Sequence, residues 1–226
     1  MKKTTWSAAL CFANLARLSD DIVVLSEAGC AEWHLDITDG IFAPGFTLGY
    51  DTIRSLKAVT DRPLHAHLMV QEPERHIAEV IAAGCSRVTV HVESTPHVHR
   101  AMMMIKELGA EAGIAIQPAT PLTKLEYVLA QADSVHLITE ARGVERKMPL
   151  AATFDRVKIL RDNLNYLESR ASLSVEGYMT PKNAASAIVH GADTVVWDDA
   201  VVFAPGDLTT NIERFLQEVS HEQQIA

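Results

Sequence analysis

The sequence predicts an α/β chain folded as a (β/α)8 barrel of the TIM type, a single domain over residues 1–226. Two observations carry this. A helix-like stretch followed by Ala-Gly or Leu-Gly and then a β-branched run recurs around Gly29, Gly84, Gly109 and Gly191. These glycines lie 55, 25 and 82 residues apart, near two, one and three times a unit of 27 or 28. Each marks a helix end where the chain needs a left-handed residue before the next strand. Repeated strand-then-helix units also imply a parallel sheet, because parallel strands need a crossover. An open doubly wound sheet is the runner-up, but Gly-x-Gly-x-x-Gly does not follow the first strand, which removes the usual dinucleotide reading.

Taken in order, the expected strands are Trp6–Phe12, Glu32–Ile37, Leu64–Met69, Arg87–His91, Gly113–Gln117, Ser134–Ile138, Ala171–Glu176 and Thr194–Trp197. The amphipathic stretch at 14–28 carries Leu15, Leu18, Ile22, Val23 and Leu25 at helical spacing. Further helical stretches are expected at Arg75–Ala83, His97–Leu108, Leu122–Ala130, Phe154–Leu167, Pro181–His190 and Leu208–Val219. Neither a linker nor a low-complexity tract divides the chain.

Composition narrows the function classes. The chain has 20 Lys+Arg against 29 Asp+Glu, a formal charge of −9, and is 48% hydrophobic. Such a chain buries enough apolar surface to fold, and it lacks the clustered cations that bind nucleic acid or anionic membranes. No segment reaches the ~18 apolar residues of a membrane span. Cys11, Cys30 and Cys85 are odd in number and widely spaced, which suits reduced thiols in a cytoplasmic protein.

Active-site groups of such barrels come from the carboxyl ends of strands. On the second strand, His34 and Asp36 share a face; on the third, His65 and His67 do the same. The seventh ends in Glu176. Two histidines and two carboxylates converging on the axis suit zinc, manganese or iron(II), since buried Asp36 and Glu176 need a neutralising partner. His91 and His136 read as structural interior residues, and the run Met102–Met104 as core packing.

The stretches His34-Leu35-Asp36-Ile37-Thr38-Asp39-Gly40 and His67-Leu68-Met69-Val70-Gln71-Glu72-Pro73 resemble the ribulose-phosphate 3-epimerase family, as do Val88–Glu93 and Pro118–Leu122. The resemblance implies a metal-dependent sugar epimerase in which one divalent ion (Zn, Fe, Mn or Co) sits on His34, Asp36, His67 and Glu176. It implies that Asp36 and Glu176 form the acid/base pair that inverts carbon 3 of a ketose or ketose phosphate through an enediolate. Ser7, Met69 and Gly177 fall on the substrate side. The implied partner is a small-molecule sugar or sugar phosphate, and the implied assembly a homo-oligomer.

Three positions depart from the family pattern. Glu176 stands where the family has aspartate, a longer reach of about 1.5 Å where ~1 Å can matter 100-fold. The loop after the sixth strand, Thr139–Lys147, holds one glycine where a Gly-rich phosphate loop belongs, leaving Arg142 and its neighbours as compensating cations. The eighth strand ends in Trp197-Asp198-Asp199 where the family has Gly-Ser. Two carboxylates there oppose a phosphate. A non-catalytic relative that binds metal or sugar is therefore the alternative reading.

Overall fold

The structure, a computed structural model, describes residues 4–140 and 152–225. Eight parallel strands close into a barrel in chain order. They are β1 (Thr5–Ala9), β2 (Cys30–Thr38), β3 (Leu64–Met69), β4 (Arg87–His91), β5 (Glu111–Ile116), β6 (Ser134–Ile138), β7 (Ser172–Glu176) and β8 (Thr194–Trp197). The helices outside are α1 (Leu18–Glu27), α2 (Tyr50–Val59), α3 (Ile77–Ala83), α4 (Val98–Glu107), α5 (Thr153–Tyr166), α6 (Pro181–Val189) and α7 (Leu208–Ile225).

Four strands coincide with their expected bounds, and three differences have local causes. The first strand stops at Ala9, and Leu10–Phe12 forms a 3-10 turn. That turn carries Cys11 over the barrel mouth, where its thiol donates to Asp36 Oδ2 at 3.1 Å. Helix α2 was not among the expected stretches. It starts after Gly49 with Asp51 in its first turn, and Ile53 and Leu56 are buried in the core. Leu122–Ala130 is two 3-10 turns, Leu122–Leu125 and Leu129–Gln131, rather than one helix. Pro121 holds the segment's start extended (φ −60, ψ 137), and proline supplies no backbone donor there.

The recurrent glycines end helices as expected: Gly84 and Gly191 sit at φ +124 and +106, a region costly for residues with a Cβ. Strand alternation splits the barrel into two environments. Outward-facing Trp33, Leu35, Ala66, Leu68, Val88 and Val90 are buried beneath the helices, each large side chain contributing roughly 1.5–3 kcal/mol. Trp6 stacks on Trp197 with centroids 5.7 Å apart, and Phe215 of α7 meets both edge-on, sealing the β1–β8 seam.

The strand register sets the inward face. Asp36 pairs with His67, His67 with Thr89, and His136 with Ser174, so these side chains all point to the axis. The interior is therefore polar. At its floor, Arg87 Nη1 reaches Glu32 Oε2 at 2.8 Å and its Nη2 reaches Glu111 Oε2 at 2.7 Å. Burial opposes charge on Glu32, but His65 and Arg87 hold its carboxyl down to about 2. Among the described residues, no helix is long and apolar enough to cross a membrane. All three cysteines are free thiols.

Candidate metal centre

The carboxyl ends of β2, β3, β6 and β7 bring five polar side chains together. His34, Asp36 and His67 are fully buried, as is His136, and Glu176 is 4% exposed. Donor atoms of His34, His67, His136 and Glu176 all lie within 4.8 Å of one another. Asp36 joins this group through Oδ1, 3.2 Å from His34 Nε2 and 2.9 Å from His67 Nδ1. His34 Nε2 and His67 Nδ1 are 3.2 Å apart, and Glu176 Oε2 lies 3.1 and 3.3 Å from them.

These separations test whether a metal fits. A tetrahedral ion bonded to nitrogen and oxygen at about 2.0–2.1 Å needs donors about 3.3 Å apart. Five donor pairs among His34, Asp36, His67 and Glu176 fall between 2.9 and 3.3 Å. Charge points the same way, because two carboxylates buried at the axis require a cation. Burial works against charge on His34, yet Glu176 and Asp36 push its pKa up to about 10. Burial likewise opposes charge on Glu176, but His34, with hydrogen bonds from His136, His34 and His67, holds it well below the usual carboxylate range. The residues present fit a divalent ion.

The His34 and His67 imidazoles that face the cluster are each backed by another histidine. His34 Nδ1 lies 3.2 Å from His65 Nδ1, and His65 Nε2 lies 2.7 Å from Thr89 Oγ1. For His34 Nε2 to offer a lone pair to a metal, Nδ1–H donates to His65, whose Nε2–H donates to Thr89. His67 Nε2 sits 2.8 Å from His91 Nε2, and His91 Nδ1 sits 3.2 Å from Glu93 Oε2. Glu93 is itself fixed by the Gln117 amide, which donates to Oε1 at 2.8 Å. The same logic runs through it: His67 Nε2–H donates to His91, and His91 Nδ1–H to Glu93. Such backing orients metal ligands and raises their basicity. Burial lowers His65 and His91 to about 4, so both stay neutral relays.

His136 and His91, both expected as interior residues, are buried as expected and hydrogen-bond to cluster members. His136, read from sequence as a structural residue, lies with Nε2 2.7 Å from Glu176 Oε2 and stacks on His34 at 5.0 Å. His91 is likewise part of the His67 relay. Neither was legible locally, because His136 and Glu176 are 40 residues apart in the chain. The longer Glu176 is accommodated: its carboxylate reaches both β2 and β3 histidines while accepting from His136.

The remaining expected residues separate. Met69 is buried at the end of β3, next to the cluster's strand ends. Ser7 lies at the level of Glu32, and its hydroxyl donates to the Glu32 carbonyl at 3.4 Å. Gly177 follows Glu176 at φ +108, where a Cβ would stand 2.9 Å from Thr139 Oγ1 and from Glu140 Cγ. Arg142, with Arg146 and Lys147, lies outside the described residues. Asp39 of the β2 motif organises the mouth instead of the chemistry. Its Oδ1 accepts from the Ile41 and Phe42 amides and its Oδ2 from Gln71, each at 2.8 Å. That clasp places the Phe42 ring 4.8 Å from His91.

The mouth near β7 and β8 differs. Asp198 is 3% exposed and accepts from the Met179 amide through Oδ2 and the Ala200 amide through Oδ1, both at 2.9 Å. Burial pushes its pKa up to about 7, the two amides opposing and Asp199 and Glu176 adding to the rise.

Comparison with known proteins agrees with this geometry. Residues 6–202 match the family described as the Ribulose-phosphate 3 epimerase family. The chain is 36% identical over 197 residues to the chloroplastic ribulose-5-phosphate-3-epimerase of Arabidopsis thaliana, covering 86% of this chain and 70% of that protein. It is 33% identical to the ribulose-phosphate 3-epimerase of Synechocystis, covering 85% of each. Against the Escherichia coli K12 ribulose-phosphate 3-epimerase, identity is 30%, over 98% of this chain and 100% of that one. In fold, it is similar to 3-hexulose-6-phosphate synthase from Salmonella typhimurium, with a TM-score of 0.72 and 14% identity over 97% of this chain and 100% of that one. With its closed barrel and its matching β2 and β3 motifs, the chain belongs to the ribulose-phosphate 3-epimerase family of carbohydrate isomerases.

Proposed function

We propose that this chain is a metal-dependent epimerase that inverts carbon 3 of a ketose or ketose phosphate. The observation that carries the reading is the convergence of Asp36 and Glu176 on one buried His34–His67 pair. In this reading His34, Asp36, His67 and Glu176 hold one divalent ion, and His136 orients Glu176. The ion, when bound, supplies positive charge beside the ketone and its neighbouring hydroxyl, as a Lewis acid.

The chain's own residues handle the proton. One carboxylate takes the carbon-3 proton while the C–H electrons move into the C2–C3 bond and onto the ketone oxygen. The other carboxylate, protonated at that stage, returns a proton to the opposite face as the ketone re-forms. The reaction is reversible, so Asp36 and Glu176 exchange roles with direction. Cys11, donating to Asp36 Oδ2, leaves Oδ1 as the oxygen turned to the histidines. Met69 and Gly177 line the substrate side, and His65 and His91 keep the ligand tautomers fixed.

Solvent exchange tests this directly. Ribulose, xylulose and allulose, with their terminal phosphate esters, are incubated with enzyme in deuterated water and followed by NMR. Deuterium at carbon 3 is the expected result. A protein that holds metal and exchanges none of them is a non-catalytic relative.

A further inference from the structure

Phosphate sites of (β/α)8 barrels are commonly built by the loops after the seventh and eighth strands, where backbone amides and a short helix face the anion. In this chain those loops already hold a side-chain carboxyl of their own. Met179 belongs to the loop after β7 and Ala200 to the loop after β8, and the two carboxylate oxygens of Asp198 take one amide from each, at 2.9 Å. The clasp is rigid. Asn183 Nδ2 donates to the Tyr178 carbonyl at 2.8 Å, and Thr180 Oγ1 accepts from the Asn183 amide at 3.3 Å, tying the β7 loop to α6. We propose that Asp198 is a resident substitute for a substrate phosphate, so that the site selects ketoses whose far end is a neutral hydroxyl.

The physical reason has two parts. Met179 and Ala200, on the two loops where such barrels commonly hold phosphate, give their amides to Asp198, whose side chain occupies that space whether ionised or protonated. A phosphoryl dianion brought near also meets the Asp198 carboxylate itself. A hydroxyl terminus meets neither obstacle and can donate to a carboxylate oxygen. The selectivity rests on the epimerase reading, whereas the blocked cradle can be tested without it.

Two measurements separate them. The first compares carbon-3 deuterium exchange of ribulose and ribulose 5-phosphate by wild type, Asp198→Gly and Asp198→Asn. Wild type is expected to favour the neutral sugar in kcat/KM by at least about tenfold, matching the repulsion of one carboxylate. Asp198→Gly, which frees both amides, is expected to shift the ratio toward the phosphate ester by at least about tenfold, with Asp198→Asn between them. The second follows the thermal midpoint against inorganic phosphate, which reports the cradle without turnover. A saturable rise is expected for Asp198→Gly and a weaker one for Asp198→Asn, which keeps the test open if the glycine variant does not fold, and none for wild type. Wild type that prefers the phosphate ester, or that is stabilised saturably by inorganic phosphate, overturns the proposal. Absence of exchange with every sugar overturns the epimerase reading and the selectivity built on it, leaving the thermal measurement to judge the cradle.

Discussion

On the β2–β4 side of the barrel mouth, His34 and His67 each turn one nitrogen to the axis and give the other to a second histidine, at 3.2 and 2.8 Å. On the β7–β8 side, Asp198 gives both oxygens to backbone amides at 2.9 Å. Both regions are buried, but they leave opposite things unmet. The first directs lone pairs inward around two carboxylates and so calls for a cation. The second spends the Met179 and Ala200 amides on its own side-chain carboxyl. If Asp198 stands in for a phosphate as we propose, one barrel keeps the chemistry of its family at one arc of the mouth while changing what it grips at another.

The largest effect is expected where the two carboxylates act. Asp36→Asn should lower carbon-3 exchange by about 10²–10⁴-fold, the range of a lost acid/base group, with the thermal transition still cooperative. Exchange at the wild-type rate would mean that two-carboxylate transfer is wrong.

Next comes the residue that joins the two regions. Glu176→Asp withdraws the carboxylate by about one bond length from His136, and a displacement near 1 Å costs about 100-fold in turnover. A faster enzyme would show instead that Glu176 is a flaw and that His136 does not compensate for its length.

The relays are tested one step further out. His91→Ala should weaken divalent metal binding about 10–100-fold, measured by competition with a chromophoric chelator. Unchanged affinity would reduce the β4 histidine to core packing.

Asp198→Asn carries the smallest effect on the chemistry, and its signature is stability against pH. The folded pKa of Asp198, about 7, lies above its ordinary 3.8, so the folded state holds an extra proton between those values. Wild type therefore loses stability as pH rises from about 4 through about 7, by no more than about 4 kcal/mol, and the variant does not. The midpoint of the variant relative to wild type should rise between pH 5 and pH 8. An equal difference at both pH values would show that Asp198 is not desolvated at neutral pH.

Much of this was legible in the residues because the informative spacings were short. His34 with Asp36, and His65 with His67, declare a shared strand face within three residues, and glycines after helices declare the repeat. Helix α2 escaped although Tyr50, Ile53 and Leu56 recur at helical spacing, because Thr60 rather than the recurrent Ala-Gly or Leu-Gly ends it. His136 escaped because its partner is on the next strand, 40 residues away. Asp198 was legible as an obstacle to phosphate but not as an acceptor, since the amides it takes come from two different loops. Backbone donors have no signature in side-chain identity.

The reading as a whole stands on the dependence of proton exchange on metal at the His34–His67 pair. Enzyme stripped by chelator and titrated with zinc, iron(II), manganese or cobalt should lose carbon-3 deuterium exchange on stripping and regain it at one ion per chain. In His67→Ala the regain should vanish. Exchange that survives chelation undiminished, or that returns in His67→Ala with the same stoichiometry, would contradict a metal-dependent centre on these residues.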